Sequence, residues 1–182
     1  MVVPSNPYDA KGLLKTAIRD DNPVLYVEGQ LLYAMKGVVP ETEYEIPFGV
    51  AAVKTTGKDC TFVGWSYVVN EAIKAAEMLA KEGIGLEVID ARTLVPFDYD
   101  TVVASVKKTG KVVIASQAVK MGSFTAEVAD QIVTRAFDYL DAPPVRLGAA
   151  ASISPQAKGM EKAYLVWAED IVAAVKKLVG KS

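Results

Sequence analysis

The chain has 182 residues, of which 51% are hydrophobic and 23% are charged, with a formal net charge of −2 and no histidine. This composition is typical of a soluble globular protein, the charge gives no reason to expect nucleic acid or a membrane surface as a partner, and no apolar run reaches the roughly 18 residues of a membrane-spanning helix. The absence of histidine removes the commonest general base and metal ligand, and the lone Cys60 excludes an intrachain disulfide.

The opening of the chain predicts a helix followed by a strand. Ser5 or Asn6 can cap the helix, and Asp9 lies where the helix dipole favours a negative charge. One buried face is predicted from apolar residues at helical spacing: Leu13, Leu14, Ala17 and Ile18. The strand, residues 24–28, is apolar on both faces and should be buried in a parallel sheet. One helix and one strand cannot bury it, so we expect residues 1–28 to end a domain whose body is absent.

Residues 29–58 lose all periodicity and are predicted to be a linker. A free loop of this length inside one compact domain would be unusual. Its apolar residues need a partner surface, so the linker is expected to lie against neighbouring structure. These residues are Leu31, Leu32, Tyr33 and Met35.

Residues 59–182 alternate between strands and helices. Strands are predicted over residues 61–66, 86–89, 112–115 and 145–147, and helices over residues 67–81, 98–110, 124–140 and 169–179. Strands separated by helices imply right-handed crossovers and a mostly parallel sheet that is covered on both faces. The predicted fold is therefore a three-layer α/β/α domain.

The carboxyl ends of such strands are where ligands bind, at the point where the strand order reverses. Three strand ends are candidates: residues 64–67, 90–93 and 116–124. None has a Gly-x-Gly-x-x-Gly or P-loop spacing, so ordinary crossover turns are favoured over a nucleotide or phosphate site. Asp90 and Arg92 are expected to form a charged pair that fixes their loop, with a catalytic acid and an anion clamp as the alternative. No Cys, His or Asp cluster has metal-ligand spacing.

A family resemblance is carried by the opening PSNPYDAKGLLKTAIRDDNPV, by Lys36-Gly37-x-Val39-Pro40-Glu41, and by residues 87–96 and 136–143. In this order they resemble the beta subunit of the thiamine-diphosphate-dependent first component of 2-oxo acid dehydrogenase complexes, of the pyruvate and branched-chain types. The resemblance implies that residues 1–28 end a pyrimidine-binding domain, that residues 29–58 are a linker, and that residues 59–182 form a domain like the C-terminal domain of transketolase.

The function implied by the resemblance is that of an assembly domain in a heterotetramer of alpha and beta subunits. The assembled enzyme oxidatively decarboxylates pyruvate, or another 2-oxo acid, on thiamine diphosphate and passes the acyl group to a lipoyl arm. The diphosphate–magnesium motif of the family lies on the alpha subunit, and the catalytic residues of the beta subunit lie in the absent domain. The chain alone is therefore expected to bind neither thiamine diphosphate nor magnesium, to contain no catalytic residue and to be inactive. Its expected location is the cytoplasm, or the mitochondrial matrix in a eukaryote.

Two sites follow from the resemblance. In relatives a potassium ion is held partly by a segment that carries over to the backbone carbonyl of Ala17 and the side chains of Asp20 and Asn22, with an ordinary helix end as the alternative. Asp138 and Asp141 match the region that receives the small basic binding domain of the lipoyl-bearing acyltransferase core. An acidic patch there would steer such a partner, whereas the alternative is that both side chains are simply solvated.

Three residues depart from the family pattern, and three alternatives to this function are open. Gly29, Asn70 and Ser116 stand where many relatives have histidine, which argues against a supporting role for this domain in catalysis. The chain could instead be a piece of a split transketolase or of a deoxyxylulose-phosphate synthase, although the Lys-Gly-x-Val-Pro-Glu segment argues against both. It could also be a stand-alone, non-catalytic protein-binding module.

Overall fold

The computed structural model describes residues 1–180. Its strands are β1 (Ala52–Thr55), β2 (Cys60–Gly64), β3 (Leu86–Asp90), β4 (Val112–Val119) and β5 (Val145–Ala149). They form a sheet in the order β1-β3-β2-β4-β5, in which β1 is antiparallel to β3 and the other neighbours are parallel. The helices are α1 (Pro7–Arg19), α2 (Tyr67–Ala80), α3 (Tyr99–Thr109), α4 (Phe124–Ala136), α5 (Lys158–Tyr164) and α6 (Ala168–Val179), with short 3-10 turns at Gln30–Leu32 and Phe137–Tyr139.

Two hydrophobic layers enclose the sheet. Phe62 and Val88 face the layer that includes α2 and α6, whereas their neighbours Val63 and Ile89 face the layer that includes α3 and α4. Successive residues of a strand point to opposite faces, so strands that are apolar throughout must be covered on both sides. The predicted three-layer α/β/α architecture is confirmed. Within the described residues, no helix combines the length and apolarity that crossing a membrane requires.

Most element boundaries in this layered part agree with the prediction within a few residues. The largest differences are that β4 continues to Val119, that α4 ends at Ala136 where a 3-10 turn replaces the predicted last helical turn, and that the short helix α5 was not predicted. In the 3-10 turn Phe137 and Tyr139 are exposed, and the backbone N–H of Asp141 donates to the carbonyl of Gly110 at 2.8 Å. This contact with the end of α3 redirects the chain before the helix can continue.

The opening helix forms as predicted, but most of its apolar face is open. Asn6 is the N-cap, and its side-chain oxygen accepts a hydrogen bond from the backbone N–H of Asp9 at 2.9 Å. Leu13 is fully buried, whereas Leu14 is 44% and Ile18 74% exposed. The prediction of one buried face is therefore wrong for these two side chains, because the described residues supply nothing that covers them.

Residues 24–28 do not form the predicted buried strand. This segment makes an isolated β-bridge, in which Tyr26 pairs with Val2. The side chains of Leu25 and Val27 are exposed. Instead, the buried segment is Val2, which also bridges Thr93 after β3. The apolar pattern indicated that burial is favourable but could not indicate that a neighbouring strand would be missing.

The first strand of the sheet lies inside the range predicted as linker. Ala52, Val53 and Thr55 pair with the last residues of β3 at the edge of the sheet. A four-residue edge strand that contains a lysine and a threonine carries little hydrophobic periodicity, which explains why it was missed.

The preceding part of this range packs on α1, as expected, but through different residues. Ile46 is buried against Leu13, and Gly12 permits the approach because a Cβ there would lie 2.7 Å from Ile46 Cγ1. Tyr44 stacks on Tyr8 with ring centroids 4.5 Å apart. Of the apolar residues expected to need a partner surface, Leu31, Tyr33 and Met35 are exposed. The domain limits at residues 28 and 58 remain predictions.

Candidate functional site

The order of the strands reverses between β2 and β4, which are neighbours in the sheet. The chain leaves β2 into α2 on one face, and it leaves β4 into α4 on the other. The two connections therefore diverge at the carboxyl edge and leave a crevice between them, which is the position at which open parallel sheets bind ligands.

A pocket of about 270 Å³ lies at this switch point, and we call it the switch-point pocket. Its wall includes Trp65 and Phe124, whose rings meet edge to face with centroids 5.9 Å apart. Polar side chains in the lining are those of Glu28, Ser66, Ser116 and Gln117. The other lining residues are Val3, Val27, Gly29, Leu94 and Ala118. Two of the three predicted strand ends, residues 64–67 and 116–124, thus meet here.

Ser66 is held beside the pocket in an uncommon conformation. Its φ of 60° and ψ of −142° lie in a region that costs a non-glycine residue about 1–3 kcal/mol. Although Ser66 is the N-cap of α2, its side chain caps none of the helix amides. Gly29 packs against it so closely that a Cβ there would lie 2.7 Å from Ser66 Oγ. The fold therefore keeps this hydroxyl at the pocket.

Ser116 is the most unusual group in the lining. It is 2% exposed, and its Oγ has no hydrogen-bond partner within the described part of the chain. A buried hydroxyl without a partner costs about 1–3 kcal/mol, so such groups are rare in folded proteins. The sequence singled out Ser116 as part of a candidate strand end and as a departure from histidine in relatives, but no local signal could have indicated an unpaired hydroxyl.

The third strand end holds a buried cluster of charges rather than a pocket. The side chains of Asp9 and Asp90 are completely buried, and Lys54 Nζ lies 2.8 Å from Asp9 Oδ2 and 3.7 Å from Asp90 Oδ2. Arg92 Nη2 donates to Asp9 Oδ1 at 2.7 Å. Asp90 accepts the backbone N–H of Arg92 at 3.1 Å and the hydroxyl of Ser5.

The prediction that the side chains of Asp90 and Arg92 pair with each other is therefore wrong. The guanidinium of Arg92 pairs with Asp9, and Asp90 fixes the loop through the backbone instead. Burial raises the pKa of Asp90 to about 6. Burial also acts to raise the pKa of Asp9, but Lys54 and Arg92 outweigh it and hold that pKa below its usual value. The cluster joins α1, β1 and the loop after β3, which is a structural role.

The residues predicted to hold potassium form a local turn at the end of α1. Asp20 Oδ1 accepts the backbone N–H and the side-chain amide of Asn22 at 2.8 and 3.0 Å, and these hydrogen bonds lower the pKa of Asp20. Both side chains are exposed, and Ala17 lies in the preceding turn of the helix. The site of Ala17, Asp20 and Asn22 stays a prediction.

Asp138 and Asp141 lie in and just after the 3-10 turn that follows α4. Asp138 is exposed, whereas Asp141 accepts from Lys111 Nζ at 2.7 Å. Lys111 also lines a shallow pocket with Val179, at the end of α6, so the two regions are near one another. A lysine thus neutralises part of the predicted acidic patch, and the role of the patch in partner binding stays a prediction.

Comparison with known proteins places these features in a family. Residues 49–171 match the family model described as transketolase, C-terminal domain. The chain is 43% identical to the mitochondrial pyruvate dehydrogenase E1 component subunit beta of Dictyostelium discoideum, over 100% of this chain and 52% of that protein. It is 42% identical to the 2-oxoisovalerate dehydrogenase subunit beta of Bacillus subtilis (strain 168), over 98% of this chain and 55% of that protein.

The fold is also found in a solved structure. That structure, a split gene transketolase described as an inactive beta4 tetramer, matches with a TM-score of 0.80 and 27% identity, over 98% of this chain and 56% of that chain. The relatives confirm the predicted resemblance to the beta subunits of 2-oxo acid dehydrogenases, and this chain spans about half the length of the curated relatives it matches. Because the family model covers most of its length and the observed sheet has the corresponding fold, the chain belongs to the transketolase C-terminal domain family.

Proposed function

We propose that the chain is the assembly part of the beta subunit of a thiamine-diphosphate-dependent 2-oxo acid dehydrogenase. The assembled enzyme would oxidatively decarboxylate a 2-oxo acid, with pyruvate as the leading substrate, and transfer the acyl group to lipoamide. The observation that carries this proposal is the 42–43% identity to two such beta subunits over 98–100% of the chain. One of these relatives is named for pyruvate and the other for 2-oxoisovalerate, so a branched-chain substrate is the second candidate.

The residues of this chain do not fit a site for thiamine diphosphate and magnesium. The sequence has no Gly-Asp-Gly motif. Within residues 1–180, no three His, Cys, Asp or Glu side chains are grouped so that they could hold a metal ion. The switch-point pocket is lined by one carboxylate, Glu28, and by no lysine or arginine that could receive a diphosphate. We therefore assign no step of the decarboxylation to this chain, and its role in the proposal is assembly.

The surface of α1 and of the segment after it supports a role in assembly. We call this the α1 surface, and its exposed large apolar side chains include Leu14, Ile18, Leu25, Leu31 and Tyr33. Burial of one such side chain contributes about 1.5–3 kcal/mol, so an uncovered row of them favours association. In the proposal this surface contacts the alpha subunit and the second beta subunit of a heterotetramer.

Two finer parts of the proposal rest on the residues already described. Asp138 and Asp141 would receive the basic binding domain of the lipoyl-bearing acyltransferase core. Ala17, Asp20 and Asn22, at the end of α1 beside the α1 surface, would contribute to a potassium site completed by other parts of the assembled enzyme. The enzyme would act in the cytoplasm, or in the mitochondrial matrix as for the mitochondrial relative from Dictyostelium discoideum.

A split transketolase is the main alternative, because one solved structure with the same fold is described as a split gene transketolase. Its identity of 27% is well below the 42–43% found for the dehydrogenase beta subunits, which favours the first proposal. The alternative that is not part of an enzyme is a stand-alone, non-catalytic protein-binding module.

Affinity capture from cells of the source organism tests the proposal. A tagged chain should retain an alpha-type dehydrogenase subunit and a lipoyl-bearing acyltransferase, both identified by mass spectrometry. A tagged variant with Ile18→Asp should retain less of the alpha-type subunit, since it places a charge on the α1 surface. Retention of a transketolase partner in place of these subunits would contradict the proposal.

A further inference from the structure

The switch-point pocket contains a hydrogen-bonding group that the fold leaves without a partner. The hydroxyl of Ser116 is buried and has no hydrogen-bond partner within the described residues, at the point where the pairing of β4 with β5 becomes irregular. The buried hydroxyl destabilises the free chain because it has lost its hydrogen bonds to water. A bound molecule that supplies the missing hydrogen bond would remove this cost.

Two helix amino termini face the same pocket. α2 begins directly after Ser66, and α4 begins at Phe124, both of which line the pocket. The side chains of the two N-cap residues, Ser66 and Ser123, cap neither helix. The N–H groups of Val69 and Ala126 donate to the carbonyls of these N-cap residues, at 3.2 and 3.0 Å. The positive ends of these 14- and 13-residue helices favour a negatively charged group. Glu127 opposes this only in the first turn of α4, since the first turn of α2 contains no acidic residue.

The remaining lining selects among negatively charged molecules. Glu28, which accepts a hydrogen bond from the hydroxyl of Tyr33 at 3.0 Å, adds a carboxylate, and no basic side chain lines the pocket. The carboxylate of Glu28 would repel a ligand that carries negative charge alone, whereas it would attract an ammonium group. Trp65, Phe124 and Leu94 form an apolar wall. A volume of about 270 Å³ restricts the occupant to a small molecule, since pockets for drug-sized ligands begin near 300 Å³.

We propose that the switch-point pocket binds an amino acid with an apolar side chain. Its carboxylate lies at the Ser116 hydroxyl and the amino termini of α2 and α4. Its ammonium group lies at Glu28, and its side chain packs against Trp65 and Phe124. The pocket thereby provides the domain with a binding site for a small zwitterion.

Calorimetric titration of the full chain with L-leucine tests this proposal. Three comparison ligands each remove one element of recognition: 4-methyl-2-oxopentanoate lacks the ammonium group, 3-methylbutylamine lacks the carboxylate, and glycine lacks the apolar side chain. We expect saturable one-to-one binding of leucine and at least roughly tenfold weaker binding of every comparison ligand. The absence of saturable binding at about 10 mM leucine, or an oxo acid that binds as tightly as leucine, would overturn the proposal.

Two substitutions assign the contacts. Ser116→Ala should weaken leucine binding roughly fivefold, because it removes one hydrogen bond. The same change should raise the thermal midpoint of the free chain, because it removes a hydroxyl that has no partner there. Glu28→Gln should weaken leucine binding and bring the affinities for leucine and the oxo acid together. The control, Ser152→Ala in an exposed loop, should alter neither quantity. Unchanged affinity in both Ser116→Ala and Glu28→Gln would overturn the proposal.

Discussion

Arg92 binds Asp9 across 83 positions of sequence, with Nη2 and Oδ1 2.7 Å apart. Asp9 is completely buried, and its other oxygen accepts from Lys54 at 2.8 Å. The helix α1 is therefore tied to the layered domain by buried charges as well as by apolar packing. This contact makes residues 1–19 part of the folded unit rather than a loose extension.

Loss of the guanidinium should destabilise the fold. Arg92→Met leaves the carboxylate of Asp9 buried with one cationic partner, and removing one member of a buried ion pair typically costs about 3 kcal/mol. Urea denaturation measures this change. The matched control is Arg19→Met, because Arg19 also pairs with acidic side chains but is 46% exposed. The control should lose less than about 1 kcal/mol. Equal losses of unfolding free energy in the two variants would show that the buried ion pair stabilises the fold no more than the exposed one.

Stability should respond to pH through Asp90. Burial raises its folded pKa to about 6 from 3.8, so the folded chain binds this proton more tightly than the unfolded chain does. Its contribution to stability is thus complete below about pH 4 and is lost as the pH rises through about 6. Asp90→Asn keeps an acceptor for the N–H of Arg92 but cannot titrate.

The comparison of wild type with Asp90→Asn isolates this effect from that of Asp9, whose lowered pKa acts in the opposite direction. Denaturation at a series of pH values gives the two free energies of unfolding. Between about pH 4 and pH 6, the free energy of unfolding of the wild type should fall relative to that of Asp90→Asn, and above pH 6 the difference should stay constant. A difference that is constant, or that favours the wild type as the pH rises, would contradict this assignment.

Gly57 should tolerate no side chain. A Cβ at this position would lie 2.5 Å from the backbone nitrogen of Glu87 and closer still to the carbonyl carbon of Leu86, and the backbone of β3 cannot move aside as a flexible side chain could. We expect Gly57→Ala to cost about 1–3 kcal/mol in urea denaturation. Gly159→Ala is the control, since its Cβ would meet nothing within 4 Å and helix α5 favours alanine. A neutral Gly57→Ala would show that the connection after β1 has room to move away from β3.

The proposed partner surface can be tested through association rates. Asp138→Asn and Asp141→Asn should each slow the association of the basic binding domain of the acyltransferase, and added salt should reduce the difference from wild type. Asp138→Asn should have the larger effect because Asp141 is already paired with Lys111. Surface plasmon resonance provides the rates. Glu77→Gln, exposed on α2, is the control. Rates that do not depend on either aspartate would remove this surface from the proposal.

Elements with local signals could be predicted from the sequence. Helix α3 begins at its cap Asp98, which accepts from the N–H of Thr101 at 3.0 Å, and ends at Gly110 with a φ of 68°. Both signals lie within the helix ends themselves, and both boundaries were predicted correctly. The alternation of such helices with apolar strands was sufficient for the three-layer fold.

Features that depend on distant contacts could not be predicted. The sequence around Ser116 does not indicate that its hydroxyl lacks a partner, and the sequence around Asp9 does not indicate that Asp9 pairs with Arg92. Ile18 and residues 24–28 show a further limit, because an apolar pattern shows that burial is favourable without showing whether the covering surface belongs to the same chain. Ile18 was predicted on the buried face of a helix and residues 24–28 in a buried strand, whereas the structure leaves Ile18, Leu25 and Val27 exposed.

In the proposal, this chain acts by associating with companion subunits through the α1 surface. Sedimentation velocity of the chain mixed with the purified alpha-type subunit tests this association. Wild type and the control Ile153→Asp, which changes an exposed side chain in a distant loop, should both sediment in a complex. Ile18→Asp should sediment separately from the alpha subunit. A wild-type chain that sediments at its own mass of 19.5 kDa with the alpha subunit present would contradict the account.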